Sequence, residues 1–511
     1  MIDTKALRQK ILDMAIRGKL VPQNPNDEPA SVLLERIRAE KQQLIKEGKI
    51  KKDKNDSVIF KGDDNRYYEK VGSEVKDITD ELPFEIPDNW VWIRLGYIVD
   101  FSQSDTVAAS QINPSSWVLD LEDIEKDSGK LLQRKTFGET QSKSDKHCFF
   151  KGNVLYSKLR PYLNKVIVAD ADGYCTTEIL AFNFGQHIAA QYAKTFFMSP
   201  YFVDYAMDGA YGVKMPRIGS HRGNSALMPV PPYTEQIHLV NRIDELFEQI
   251  DIIEQNQTDI DTLYDEFRKR TLTLAIQGKL VPQNPNDEPA SVLLERIRAE
   301  KKAKLGKKYV DSYIYKSDDN CYYEHIAGRA QDELVEVPFD IPYGWSWCRL
   351  AIFAQVLGGK RIPAGRQLTN ENTGHYYIKV SDMKENTVCL DKLQFVPTDI
   401  YPTISRYIIN KEDVYITVAG TIGRVGTIPN ELDGANLTEN ADRIVIDEID
   451  QHWLVKCLLS DVIQEQIKEA TTKVGQPKLA IARIEKFLIP LPPLAEQKRI
   501  VAKINEIFAM L

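Results

Sequence analysis

Between Tyr156 and Lys165 the chain reads Tyr-Ser-Lys-Leu-Arg-Pro-Tyr-Leu-Asn-Lys, so cations, aromatics and an amide are interleaved over ten residues. The wider window Lys126–Lys165 holds ten Lys and Arg against three acids. Ammonium and guanidinium groups neutralise phosphates, while Arg, Asn and Gln also reach base edges, so this pattern suits nucleic acid. Lys143, Lys146, Lys158, Arg160, Asn164 and Lys165 are the candidate contacts here, joined downstream by Lys214, Arg217 and Arg222. A second set lies near the other end of the chain. It comprises Arg361 and Arg366, then Thr421 and Arg424 in Gly420-Thr421-Ile422-Gly423-Arg424, then Gln476 and Lys478 in Gly475-Gln476-Pro477-Lys478, and Arg483. Glycine turns carrying a hydroxyl, an amide and a cation suit close approach to a phosphate backbone. The alternatives are plain: a charge run also fits a solvated face, and these turns also fit ordinary hairpins.

Catalytic and metal motifs are missing. The chain has no GxxxxGK[ST] phosphate loop, and Gly358-Gly359-Lys360 is too short to be one. It has no H-E-x-x-H or G-x-S-x-G, and His147, His221 and His375 have no acid/base partner at a telling spacing. Val230-Pro231-Pro232-Tyr233 looks like the N-P-P-Y of adenine methyltransferases with valine for the asparagine. Its counterpart Leu491-Pro492-Pro493-Leu494 loses the tyrosine too, so both read as strand-to-helix turns. The six scattered cysteines form no C-x-x-C pair, which points to reduced thiols in a cytoplasm. No cofactor is expected. The start lacks a signal peptide's apolar core, and no apolar run is long enough to span a membrane. The net charge of −8 speaks mildly against an indiscriminate polyanion binder and leaves room for local basic faces.

The elements that must position these residues are written twice. Gly18–Lys41 and Gly278–Lys301 are identical over 24 residues, offset by 260. Pro83-Phe84-Glu85-Ile86-Pro87 with Trp90, Trp92 and Arg94 matches Pro338-Phe339-Asp340-Ile341-Pro342 with Trp345, Trp347 and Arg349. Pro229–Gln236 matches Pro490–Gln497. Between the flanks the matches thin out: Tyr156 and Lys165 align with Tyr415 and Arg424, Thr177-Glu178 with Thr438-Glu439, Pro216-Arg217 with Pro477-Lys478, and Arg222 with Arg483. Repeats of this kind decide architecture.

From Thr234 to Leu280 one stretch runs free of proline and, until Gly278, of glycine. Leu239, Leu246, Ile253, Ile260, Phe267 and Leu274 recur every seven residues, with Ile243, Ile250 and Tyr264 on the second register. That predicts a packed helix about 69 Å long over roughly 46 residues, capped by Thr234 and stopped at Gly278. Leu246, Ile250, Ile253, Ile260, Phe267 and Leu274 are the expected packing seam. Leu7, Ile11 and Met14 continue the register of its second half, and Ile500, Ile504 and Ile507 copy its first. The chain ends are therefore expected to imitate a second, antiparallel rod, some ten residues short of complete. The expected fold class is α+β: two bodies of mixed, largely antiparallel sheet with helices such as Tyr192–Ala206 and Gln451–Ala470, separated by long antiparallel coiled-coil helices with a pseudo-two-fold internal repeat. The expected segments are an N-terminal helix (1–20), a connector (21–81), body one (82–233), the central helix (234–280), a connector (281–336), body two (337–493) and a C-terminal helix (494–511). Within the connectors, 42–81 and 302–336 read as charged, weakly periodic and partly mobile.

These residues resemble the specificity subunit of type I restriction–modification systems. The carriers are the two Gly-Lys-Leu-Val-Pro-Gln segments (18–23 and 278–283), the two P-x-P-P-x-x-E-Q helix starts, Lys158–Leu163, Lys214–Arg217, Gly423–Gly426 and Gly475–Leu479. The match spans nearly the whole chain. The resemblance implies that the two bodies are target-recognition domains, each reading half of a split site in double-stranded DNA. It implies two methyltransferase subunits docked on the helices and two restriction–translocase subunits for cleavage, with methyl donor and ATP held by those partners. Many members continue the last helix further than Leu511, so the resemblance leaves the second rod shorter here. Two other classes stay open on the residues alone. One is a self-contained methyltransferase–nuclease, disfavoured by the missing motifs. The other is a coiled-coil scaffold with protein-binding bodies, disfavoured by the cationic turns.

Overall fold

A computed structural model describes residues 2–48, 57–102, 105–212, 214–472 and 476–510, so Gly475 of the second glycine turn lies outside the described residues. The chain divides into two compact units, Met1–Thr258 and Asp259–Leu511. The division falls within one continuous helix, Tyr233–Ile276, rather than at either end of a body.

In the first unit the helix Thr4–Ile16 starts on Asp3, whose carboxylate accepts the Ala6 amide at 2.9 Å. It ends at Gly18, where φ is +67° and an added Cβ would lie 2.4 Å from Pro87 Cγ. Glycine meets both demands. The helix Ala30–Lys46 follows, which the sequence reading left unassigned. Then comes an antiparallel meander, Ser57–Lys61, Tyr67–Val71 and Glu74–Asp77. The strand Val91–Arg94 pairs with Leu227–Val230, closing the body at its base.

The body itself holds two sheets. One is five-stranded, in the order Thr106–Val107, Lys146–Phe149, Gly173–Cys175, Trp117–Leu119, Lys135–Thr136. The other is three-stranded, in the order Val166–Val168, Val154–Ser157, Ile179–Phe182. Its core is aromatic: Tyr156 stacks on Phe197 with ring centroids 5.0 Å apart, and Phe197 also meets Phe182 and Phe202. Leu12, Leu33, Leu239 and Ile243 join the same buried cluster, so helices and body share one core. Burying such rings drives the fold, and truncating fully buried Phe197 to alanine would cost about 3–5 kcal/mol.

The second unit repeats the plan. The meander is Ser312–Lys316, Tyr322–Ile326 and Glu333–Val335, and the closing pair is Ser346–Arg349 with Leu488–Leu491. One sheet runs Gln394–Phe395, Tyr376–Ile378, Ala435–Leu437, Ile408–Ile409, and the other Ala354–Gly358, Ala441–Ile446, Val414–Thr417, Val425–Gly426. Leu272, Ala275 and Ile276 of the long helix share a core with Ile500 and Ile504 of the helix Leu494–Ala509.

Several expectations change. The connectors, read as partly mobile, hold the two meanders. Ile59 and Ile78 are buried with Trp92 and Leu227, while Tyr322 and Val335 are buried with Trp347 and Leu488, so apolar residues among the charges anchor them. The helix expected over Tyr192–Ala206 is two, Ala190–Met198 and Pro200–Asp208. Ser199 turns extended before Pro200, as a residue preceding proline tends to, and its hydroxyl accepts the Phe202 amide. Gln451–Ala470 likewise breaks at extended Ser460 into Gln451–Leu458 and Asp461–Ala470. The long helix begins at Tyr233, so Thr234 lies inside it and is not its cap. Gly278, at φ +68°, does end it.

Candidate nucleic-acid interface

Along the long helix the packing seam is uneven. Ile250 is buried, and Leu246, Ile253 and Leu274 are half-buried. Ile260 and Phe267 are 47% and 48% exposed, contrary to expectation. The reason is the reach of the short helices. In the first unit Ile2 meets Gln257, and Arg8 meets Asp251, Glu254 and the Phe247 ring, so the N-terminal helix runs antiparallel to the long one and stops near Gln257. In the second unit Arg268 faces the Phe508 ring at 5.9 Å, which repeats the Arg8–Phe247 contact. Residues 258–270 are exposed throughout.

The bases of the two bodies are built alike. Glu235 is buried and accepts Trp90 Nε1 at 2.9 Å and Gln23 Nε2 at 2.6 Å. Glu496 is buried and accepts Trp345 Nε1 at 3.0 Å and Gln283 Nε2 at 2.6 Å. Burial pushes both carboxyls above the ordinary range. Gln236 and Gln497 each accept a backbone amide, from Ala189 and Asp450, and donate to the carbonyls of Pro231 and Pro492. The Pro-Pro turns are thus strand-to-helix joints held by a glutamine.

Much of the basic window is spent inside the protein. Lys146 is buried 3.6 Å from Asp120, Lys135 pairs with Glu122 and Asp123, Arg134 with Asp170, and Lys130 with Asp251. Lys165 donates its ammonium to the Leu121 carbonyl at 2.6 Å, and burial pulls its pKa below the ordinary lysine value. Asn164 is buried and donates to the Met198 carbonyl at 3.0 Å. Lys146, Asn164 and Lys165 are therefore corrected from surface contacts to internal supports. Their acidic or carbonyl partners lie outside Lys126–Lys165. Lys143 is exposed in a loop, and Arg222 lies over the Tyr205 ring and pairs with Asp208.

What remains gathers around one turn. Thr177-Glu178 links the strand Gly173–Cys175 to Ile179–Phe182, tying the two sheets together. The Lys158 amide donates to the Glu178 carbonyl, Ile218 to Lys158, and Arg160 to Pro216. These bonds bring Lys158 and Arg160, whose Nε is buried, against the segment that carries Lys214, Arg217 and exposed Tyr211 and Met215. Arg160 holds φ +50° where the chain enters the short helical turn Pro161–Leu163. Arg217 grips Glu178, Nε lying 3.2 and 3.1 Å from its two oxygens and Nη2 2.7 Å from Oε1. That hydrogen bonding holds the Glu178 carboxyl below its ordinary pKa.

The second body builds the same turn from different sequence. Thr438-Glu439 links Ala435–Leu437 to Ala441–Ile446. The Lys360 amide donates to the Leu437 carbonyl, Val418 to Asn440, and Leu479 to Val418. Arg361 Nε donates to Glu439 at 2.5 Å. Burial opposes the Glu439 charge, but its own amide and Arg361 outweigh it, and the carboxyl stays below the ordinary range. Thr421, Arg424, Gln476 and Lys478 are exposed around it, with Ala419 bridged to Lys478. Arg424 also donates to the Met383 carbonyl and lines a cavity of about 580 Å³ with Asn386 and Gln464. Arg366 pairs with Asp399 away from this turn, and Arg483 donates to the Ala470 carbonyl. Gly359 passes so near that an added Cβ would lie 2.0 Å from the Thr438 carbonyl oxygen.

Sequence reasoning aligned Glu178 with Glu439 but did not place them among the functional residues. The backbone bonds set Glu178 opposite Asn440 and Glu439 opposite Thr177, one residue off that alignment. It also missed Asp442, which is 4% exposed near Lys478 and whose burial raises its pKa to about 7. Among the described residues no cluster of three or more His, Cys, Asp and Glu could hold a metal, and no helix is long and apolar enough to cross a membrane.

Comparison with known proteins gives one consistent answer. The family model for the type I restriction modification DNA specificity domain matches residues 342–510. The type I restriction enzyme EcoAI specificity subunit of Escherichia coli is 29% identical, with 98% of this chain and 88% of that one covered. The EcoEI specificity subunit of the same organism is 27% identical, covering 99% and 89%. A solved chain from work on complex assembly and conformational transition of the type I R-M system has 18% identity and a TM-score of 0.57, covering 84% of this chain and 92% of that one. That last likeness is one of fold.

Proposed function

The chain belongs to the DNA specificity subunits of type I restriction–modification systems, and from that premise we propose that its two bodies each read one half of a split, asymmetric site in double-stranded DNA. As such a subunit it is noncatalytic and a component of a type I complex. The observation that carries the split-site reading is the paired faces around Glu178 and Glu439. They share one framework and differ in nearly every cation placed on it. Equal frameworks give equal docking on a duplex, and unequal side chains give unequal base preferences. The domain boundaries given above, with 82–233 and 337–493 as target-recognition domains, belong to this reading.

The long helix is the covalent link between the two readers, and its length sets the gap between half-sites. Its pairing with the N-terminal helix in one unit and the C-terminal helix in the other is the antiparallel coiled coil of this reading. The 24 residues repeated without change offer one surface twice, which suits two copies of the same partner. Those partners are two methyltransferase subunits, with two restriction–translocase subunits joining for cleavage, all acting on DNA in the cytoplasm.

The test is the adenine-methylation map of the source cell with this gene intact and deleted. A split, asymmetric motif that disappears on deletion supports the reading. A map that does not change overturns it.

A further inference from the structure

The two carboxylates at the centre of the cationic faces have no role as phosphate contacts. Glu178 lies beside Arg217 with Lys158 close by, and Glu439 beside Arg361. A negative charge there repels the phosphates that its neighbours attract. Both bodies, which differ over most of their length, carry a glutamate in the same strand–turn–strand link, one residue apart: the backbone bonds set Glu178 opposite Asn440, and Glu439 opposite Thr177. Each is gripped by an arginine from a different segment, Arg217 after the helices in one body and Arg361 before the second strand in the other.

Each carboxylate is held but not sealed. Glu178 is 25% and Glu439 27% exposed at the side chain. A carboxylate offers about four lone-pair sites and only accepts. In the major groove the groups that donate to an acceptor are the exocyclic amines, N4 of cytosine and N6 of adenine. The neighbouring guanidinium offers donors to the acceptor atoms beside that amine.

We propose that Glu178 and Glu439 are specificity-determining residues, one for each half-site, and that each accepts a hydrogen bond from the exocyclic amine of one base while its arginine is kept in register beside it. This rests on the DNA-reading function proposed above and adds the residue and the base chemistry. Lys158 and Lys360 fix the turn through their backbone amides, so the carboxylate is presented from a rigid support.

The experiment maps methylation in cells that carry the complete system with E178Q, with E439Q or with the wild-type chain. Glutamine keeps the shape and can turn either its carbonyl or its amine outward. It therefore admits a keto base where glutamate required an amino base. The expected result for E178Q is discrimination lowered on the order of tenfold at one base of one half-site, with new methylated sequences that carry thymine or guanine there. The other half-site and the gap stay as they were. E439Q relaxes one base of the other half-site. Whether the wild-type base is cytosine or adenine is read from the wild-type motif. A second readout is nonspecific DNA affinity of the purified complex, which rises when the negative charge is removed.

A variant that methylates the unaltered motif overturns the proposal, as does a uniform loss of methylation at all sites with a lower melting temperature. The latter marks a structural ion pair. Should E178Q fail to assemble, E439Q decides, because it lies in the other unit. A wild-type map with no split motif sinks the parent reading instead, so the two failures are distinct.

Discussion

Trp90 donates its indole N–H to Glu235 at 2.9 Å, and in the repeat Trp345 donates to Glu496 at 3.0 Å. In each unit this buried bond joins the strand pair at the base of a body to the first turn of a helix. Gln23 and Gln283, from the identical segments, complete each carboxylate. Replacing Glu235 by alanine leaves the buried Trp90 indole N–H without a partner, while exposed Gln23 keeps the Gly18 carbonyl, at a cost of roughly 1–3 kcal/mol. Hydrogen exchange should record the loss in residues 2–258 and leave Trp453 and its neighbours protected. Glu496→Ala should do the reverse.

Lys165 and Lys214 should part company on substitution. Lys214→Ala removes an exposed cation, so affinity falls evenly across sequences and the salt slope drops by about one. Lys165→Ala leaves the slope unaltered, because that ammonium is committed to the Leu121 carbonyl. Its effect is on stability, about 1–2 kcal/mol. Salt titrations and thermal unfolding of both variants separate the two roles.

Asp442 makes the second unit sensitive to pH. Burial raises its carboxyl to about 7, above the value of an unfolded chain. The folded state therefore binds the extra proton between roughly pH 4 and 7, and the stability that proton supports is lost as pH rises through 7. Asp442→Asn removes the charge. The variant should match the wild type near pH 4, gain on it up to pH 7 by roughly 2–4 kcal/mol, and hold that lead above. A lead that shrinks with rising pH would refute the assignment. Urea unfolding at a series of pH values measures it.

Removing one heptad from the exposed part of the long helix, Asp259–Asp265, takes away no buried side chain. The helix shortens by about 10 Å. The methylated motif should keep both half-site sequences and change its gap. A gap of unaltered length would end the spacer reading.

Gly359→Ala tests the second reading turn. The new methyl group would meet the Thr438 carbonyl oxygen at 2.0 Å, so the loop carrying Lys360 and Arg361 must move away from Glu439. Methylation specificity should fall at one half-site only, with the complex still assembled. Gel filtration and a methylation map together check this.

The sequence by itself determined what is local or repeated. The seven-residue period and Gly278 defined a helix, since period and left-handed backbone are properties of short windows. The identical segments make identical contacts, Gln23–Glu235 and Gln283–Glu496 both being 2.6 Å. The Lys158–Arg160 and Lys214–Arg217 cations were legible, and the structure brings those two segments together. The tertiary structure alone decided which charges remain free. Lys135, Lys146 and Lys165 look like their neighbours in the chain, but Asp123, Asp120 and the Leu121 carbonyl reach them from another strand connection. It also decided that Glu178 and Glu439 stand at the centre of the two faces. Electrostatic partners are chosen by proximity in space, and a linear window of sequence counts only one side of each pair.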